Sequence, residues 1–146
     1  MILPADMAEQ MLTHSRASLP NEACGLLAGD ETGFRRLYCI PNVDASPVSY
    51  TIEPSGHFNA LRDAEQNGWE LVGAFHSHVN APPYPSPTDV AGAAEPDWVW
   101  LVAGPVSGSP EIRAFRILDG EITEEDLEIG EEDLEIGEED VATRRE

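Results

Sequence analysis

A chain of 146 residues suffices for one domain with a real core and is too short for a (β/α)8 barrel. Its 28 acidic and 8 basic residues, the latter all arginine, give a net charge of −20, so nucleic acid and anionic membranes are excluded as expected partners, since both demand a cationic face. No apolar run approaches the ~18 residues of a membrane span, "MILPADMAEQ" has neither a basic segment nor a signal-like apolar block, and Cys24 and Cys39 are too few for a disulfide framework, which together predict a cytoplasmic protein with reduced thiols.

In chain order, residues 5–17 place Met7, Met11 and Leu12 at helical spacing, and Pro20 and Asn21 break that helix. "ACGLLAG" (23–29) and "GFRRLYCI" (33–40) flank the turn "DET" and read as a hairpin. A two-residue turn at Glu31–Thr32 would set Cys24 opposite Cys39. "VSYTIE" (48–53) alternates as a third strand, and "GHFNALRDAEQNG" (56–68) predicts a second helix stopped at Asn67–Gly68. "WELVGAFHSH" (69–78) is a continuous apolar strand expected at the centre of a sheet. Pro87 opens a short helix, "TDVAGAA" (88–94), before two further strands, "WVWLVAG" (98–104) and "EIRAFRIL" (111–118). The elements lack the even βαβ rhythm of a doubly wound fold, so the expected class is a single α/β domain with a mixed sheet flanked by helices.

The charge is uneven, with 14 acids and 2 arginines in residues 119–146. "EEDLEIGEEDLEIGEED" (124–140) repeats a seven-residue unit, but Leu and Ile fall only two apart and each unit carries a glycine, which costs about 1 kcal/mol in a helix. A coiled coil is therefore not expected. The first "DLEI" is compatible with a final edge strand, and residues 126–146 read as a disordered acidic tail behind a domain of residues 1–125. An acidic surface without lysine also suits a high-salt cytoplasm, although GC-rich coding likewise favours arginine over lysine.

The chemistry concentrates in "GAFHSHVNAPPYPSPTD". Side chains i and i+2 of a strand share a face, so His76 and His78 can aim two imidazoles at one point, as a tetrahedral zinc site requires. The plainer alternative is one exposed histidine and one hydrogen-bonded in the core. Asp89 follows a loop stiffened by Pro82, Pro83, Pro85 and Pro87. The string Ser86-Pro87-Thr88-Asp89 is also a helix start in its own right, with serine at N-cap, proline at N1 and an acid at N3. The two readings are compatible, because a first-turn carboxylate can serve as a third ligand and leave the fourth position to water, the mark of a catalytic zinc. Glu22 heads the apolar strand of "NEACGLLAG". Alone it is a solvated strand-end acid; beside a zinc site it becomes a candidate base.

The combination Glu22 … His76-Ser77-His78, seven residues from Val79 to Pro85, Ser86, two residues, Asp89 resembles the JAMM (MPN+) metallopeptidase motif, Glu … His-Ser/Thr-His-x7-Ser-x2-Asp. "NEACGLLAG", "PSPTDV" and "EIRAFRILDGEITEE" are similar to the small prokaryotic branch, nearest the Mec type, which removes cysteine from the C-terminus of a ubiquitin-like sulfur carrier protein. The likeness spans residues 1–125. It implies a single-domain JAMM/MPN fold with a mixed, mainly antiparallel sheet, and one catalytic zinc on His76, His78 and Asp89. It further implies Glu22 as general base and acid, and Ser86 as donor to the oxyanion. The implied partner is the extended C-terminal tail of a ubiquitin-like or sulfur-carrier protein. The leaving group is cysteine or another amino acid, or alternatively a target lysine, as in desampylases. Val79 stands where many members have proline, and the chain has no room for the insertions that grip ubiquitin chains in eukaryotic members. A non-catalytic MPN scaffold would lack motif ligands, and a zinc deaminase would need a Pro-Cys-x-x-Cys string absent here.

Overall fold

Adjacent residues of one strand feed two different cores in this fold. The computed structural model describes residues 1–130, 141–142 and 144–145. Up to residue 130 it runs β1 (Ile2–Leu3), α1 (Ala5–Ser18), β2 (Cys24–Asp30), β3 (Gly33–Ile40), α2 (Pro54–Gln66), β4 (Glu70–Ser77), α3 (Pro87–Ala91), β5 (Val99–Gly104), β6 (Glu111–Leu118), β7 (Glu121–Glu125) and β8 (Glu128–Ile129). β2 through β7 form one six-stranded sheet in the order β3-β2-β4-β5-β6-β7. Neighbours are antiparallel except β4 and β5, which are parallel and need the crossover through α3 for that reason. The expected α/β domain with a mixed, mainly antiparallel sheet is the one observed, and β4 is central as predicted.

Strand alternation sorts the core. Leu27, Phe75 and Leu101 point to the face covered by α1, where they join Leu3, Met7 and Met11. Leu26, Ala74 and Trp100 point to the other face with Ala60 of α2 and Ile117. Met7, Ala8, Met11 and Ser15 form the buried stripe of α1, and the one polar member is satisfied because the Ser15 hydroxyl donates to the Met11 carbonyl at 2.7 Å. Removing a wholly buried leucine such as Leu26 or Leu27 would cost about 2–5 kcal/mol.

Several expectations are corrected. The Glu31–Thr32 turn forms, but a bulge at Ala28/Gly29 moves the register by one, so Cys24 faces Ile40 and Cys39 faces Gly25. Both thiols are free. Residues 48–53 are not a strand, since their pairing is confined to a single bridge between Ile52 and Asn42. Thr51 instead donates its N–H to Asn42 Oδ1, which folds the segment back on itself. The second helix begins two residues early, at Pro54, because the Glu53 carboxylate caps it by accepting from Ser55 and Gly56 N–H. The third stops at Ala91. β1 and β7 were not expected. β7 closes a two-residue hairpin at Asp119–Gly120, whose φ values of 52° and 81° match the turn that Asp-Gly favours.

The first "DLEI" does pair, Glu128–Ile129 running parallel to Ile2–Leu3, and Leu127 packs on the α1-side core. The expected disorder of the remaining repeat falls on residues 131–140, outside the described ones. Among the described residues no helix is long and apolar enough to cross a membrane.

Candidate metal centre

The site is assembled at one end of β2 and β4. The antiparallel register pairs Cys24 with His76, and the ladder continues past the strand end, with Ser77 N–H donating to the Ala23 carbonyl at 3.0 Å. Two residues further on, that register carries Glu22 to His78. Ser77 points to the opposite face, and its buried hydroxyl accepts from Ala23 N–H at 2.8 Å. β5 supports the far side: His78 N–H donates to the Ala103 carbonyl at 2.7 Å. A side chain on Gly104 would meet the Ala81 carbonyl at 2.8 Å, so only glycine lets the loop after His78 come this close.

The loop then returns Asp89 to the histidines. Pro83 and Pro85 are buried, and the Pro82 carbonyl accepts from His78 Nδ1–H at 2.8 Å. A carbonyl can only accept, so the Nδ1 proton is fixed and Nε2, which faces Asp89, is the nitrogen left for a metal. α3 opens with a complete capping box: Ser86 Oγ accepts from Asp89 N–H at 3.1 Å, and Asp89 Oδ2 accepts from Ser86 N–H at 2.8 Å. The carboxylate that completes the cap also faces the histidines, because that same Oδ2 lies 3.0 Å from both His76 Nε2 and His78 Nε2. The two Nε2 atoms are 3.2 Å apart.

Three atoms able to ligate a metal thus lie within 4.8 Å of one another, on side chains no more than 6% exposed. Two imidazole nitrogens and a carboxylate oxygen converging away from bulk water is the donor set that zinc takes, so these residues fit the metal. Burial lowers the His76 pKa and keeps its ring neutral. For His78 burial is outweighed by the Asp89 hydrogen bond and the Pro82 carbonyl, and the pKa is raised. The Asp89 carboxylate is held well below the usual range, since its hydrogen bonds with His76 and His78 outweigh the opposing effect of burial. Glu22 is 4% exposed and its Oε1 has no hydrogen-bond partner. Burial is the main cause that pushes its pKa to about 7, with the Asp89 and Asp44 charges adding to it and His78 opposing.

Sequence reasoning missed Tyr50, whose ring stacks on His76 with centroids 4.5 Å apart and planes 20° from parallel. It came from a segment read as a strand, and nothing local marked it. It also missed a cavity of about 340 Å3 beside Asp89, bounded by Tyr50, His57, Glu95, Trp98 and Trp100.

A family model for prokaryotic homologs of the JAB domain matches residues 4–118, and the chain belongs to that family. It is similar to the CysO-cysteine peptidase of Mycobacterium tuberculosis, at 38% identity over 128 residues, covering 86% of this chain and 88% of that protein. It is also similar to the desampylase of Haloferax volcanii, at 36% over 110 residues, covering 70% and 79%. The solution structure of protein DSY2949 from Desulfitobacterium hafniense superposes with a TM-score of 0.81 at 36% identity, covering 90% of this chain and 94% of that one.

Proposed function

We propose that this chain is a cytoplasmic, zinc-dependent peptidase that hydrolyses the amide bond at the C-terminus of a ubiquitin-like or sulfur-carrier protein and releases cysteine or another amino acid. The observation that carries this reading is the convergence of His76, His78 and Asp89 beside a buried glutamate with a free oxygen. One zinc held by those three residues would polarise the scissile carbonyl and lower the pKa of a water toward ~7.

The chain's own groups supply the remainder. Glu22, with a pKa near 7, can take the proton of the attacking water and return it to the departing amine, because neither of its protonation states is locked. His78 is held in one tautomer by the Pro82 carbonyl. Ser86 serves twice without conflict. As cap its oxygen accepts from Asp89 N–H, which leaves the hydroxyl proton free to donate to the developing oxyanion.

Ser86→Ala therefore has two separable costs. Loss of the cap lowers stability by about 1 kcal/mol, and loss of the donor lowers kcat by about 10²–10³. Melting curves and steady-state kinetics on one preparation read both, and normal turnover with an earlier melt would reduce Ser86 to a cap.

The likeness to the desampylase favours a second reading, removal of a ubiquitin-like modifier from target lysines. The purified enzyme should be given a sulfur carrier ending in cysteine and, separately, the same carrier conjugated to a lysine. Release of cysteine supports the first reading; cleavage of the lysine conjugate alone would replace it with the second.

A further inference from the structure

Glu22 is gripped through both of its own peptide groups by a loop that no motif marks. Its N–H donates to the Ser46 carbonyl at 2.8 Å, and its carbonyl accepts from Asn42 Nδ2 at 3.0 Å. The same Nδ2 donates to the Ser49 carbonyl at 3.0 Å. On the other side, Asn42 Oδ1 accepts from the N–H groups of Asp44 and Thr51, each at 3.0 Å. Two carbonyls on one side and two N–H groups on the other permit a single orientation of the amide and use its full hydrogen-bonding capacity. The loop is closed at its base by the Asn42–Ile52 bridge and by Val43 N–H donating to the Thr51 carbonyl at 3.0 Å. Between those ties the loop presents Tyr50, the ring lying on His76. One side-chain amide therefore connects the backbone of the base to the ring that backs a metal-binding histidine.

We propose that Asn42 is the positioning residue of this site, fixing Glu22 and Tyr50 in one geometry relative to His76, His78 and Asp89. The proposal rests on the reading of Glu22 as general base. Asn42 touches neither the ligand trio nor a reacting atom, so its effect passes through Glu22. A displacement of about 1 Å at a catalytic group is enough to cost on the order of 10²-fold in rate.

Asn42→Asp is nearly isosteric and isolates the donor half of the amide. It keeps an acceptor for the Asp44 and Thr51 N–H groups but turns an oxygen toward the Glu22 and Ser49 carbonyls. With a sulfur carrier ending in cysteine as probe, kcat falls about 10- to 100-fold, while KM stays within about twofold and zinc binding by equilibrium dialysis is unchanged. Combined with Glu22→Gln, the substitution adds no further loss, as expected of two residues acting as one unit. In the zinc-free protein, hydrogen exchange at the Glu22 amide accelerates. A wild-type kcat in Asn42→Asp, a loss that adds in full to that of Glu22→Gln, or an equal loss of zinc would each overturn the proposal. Should the Asp variant fail to fold, Asn42→Ser retains one hydroxyl donor and carries the same comparison. Hydrolysis that survives Glu22→Gln is a different result: it removes the base reading itself.

Discussion

Glu22→Gln should hold zinc as the wild type does and lose hydrolysis by about 10²–10⁴-fold, the range over which a positioned acid–base group contributes. The same substitution should stabilise the metal-free protein, and the sign follows from burial. The carboxyl is raised from an ordinary 4.5 to about 7 in the folded state, so folding favours its neutral form. Stability associated with that neutral form is fully present below pH 4.5 and is lost as the pH rises through about 7. At ~1.4 kcal/mol per pH unit the penalty levels off at about 3 kcal/mol. Glutamine carries no such penalty. Chemical denaturation of chelated protein should therefore show the variant more stable than the wild type by up to about 3 kcal/mol at pH 8, with the difference vanishing near pH 4. Parallel stability profiles across that range would mean that Glu22 is solvated and is no poised base.

Asp89→Asn should weaken zinc binding by at least about 100-fold, given that loss of a mere outer partner already costs 10–100-fold. α3 should survive, since the Ser86 cap accepts from the backbone N–H of residue 89 rather than from its side chain. In the wild type, zinc at a hundred times its dissociation constant should add about 2.7 kcal/mol of stability. That gain should shrink in acid, because His78, whose pKa is raised by its Asp89 and Pro82 partners despite burial, must shed its proton to bind metal. Melting curves with and without zinc from pH 8 down to pH 5 measure it. A zinc increment that does not change with pH would show that protons and metal do not compete at this trio.

What was legible in the sequence is what local geometry determines. The spacing of His76 and His78 fixes a shared face, and Ser86, Pro87 and Asp89 fix a helix start, whatever surrounds them. The central position of β4 followed from its unbroken apolar run. What escaped notice depends on residues far apart in the chain. Tyr50 reaches His76 only because the loop from Asn42 folds back on itself, and the Pro82 carbonyl is defined by a contact rather than a residue type. The bulge at Ala28/Gly29 leaves no mark in composition, yet it separates Cys24 from Cys39. The Asp119–Gly120 turn did carry a local signal, the Asp-Gly pair itself, although no strand was expected after it.

The single parallel pair in the sheet has a consequence for how the protein is born. β4 carries His76 and leads directly into His78, yet β5, which lies beside it and buttresses His78, is made only after Asp89 and α3 have passed. A parallel neighbour cannot be recruited by a tight turn, and such distant pairings form slowly. A chain emerging from the ribosome can therefore set the β2–β4 register before the parallel neighbour of β4 exists. Glu22, His76, His78 and Asp89 are thus all synthesised before the strand whose Ala103 carbonyl accepts from His78 N–H.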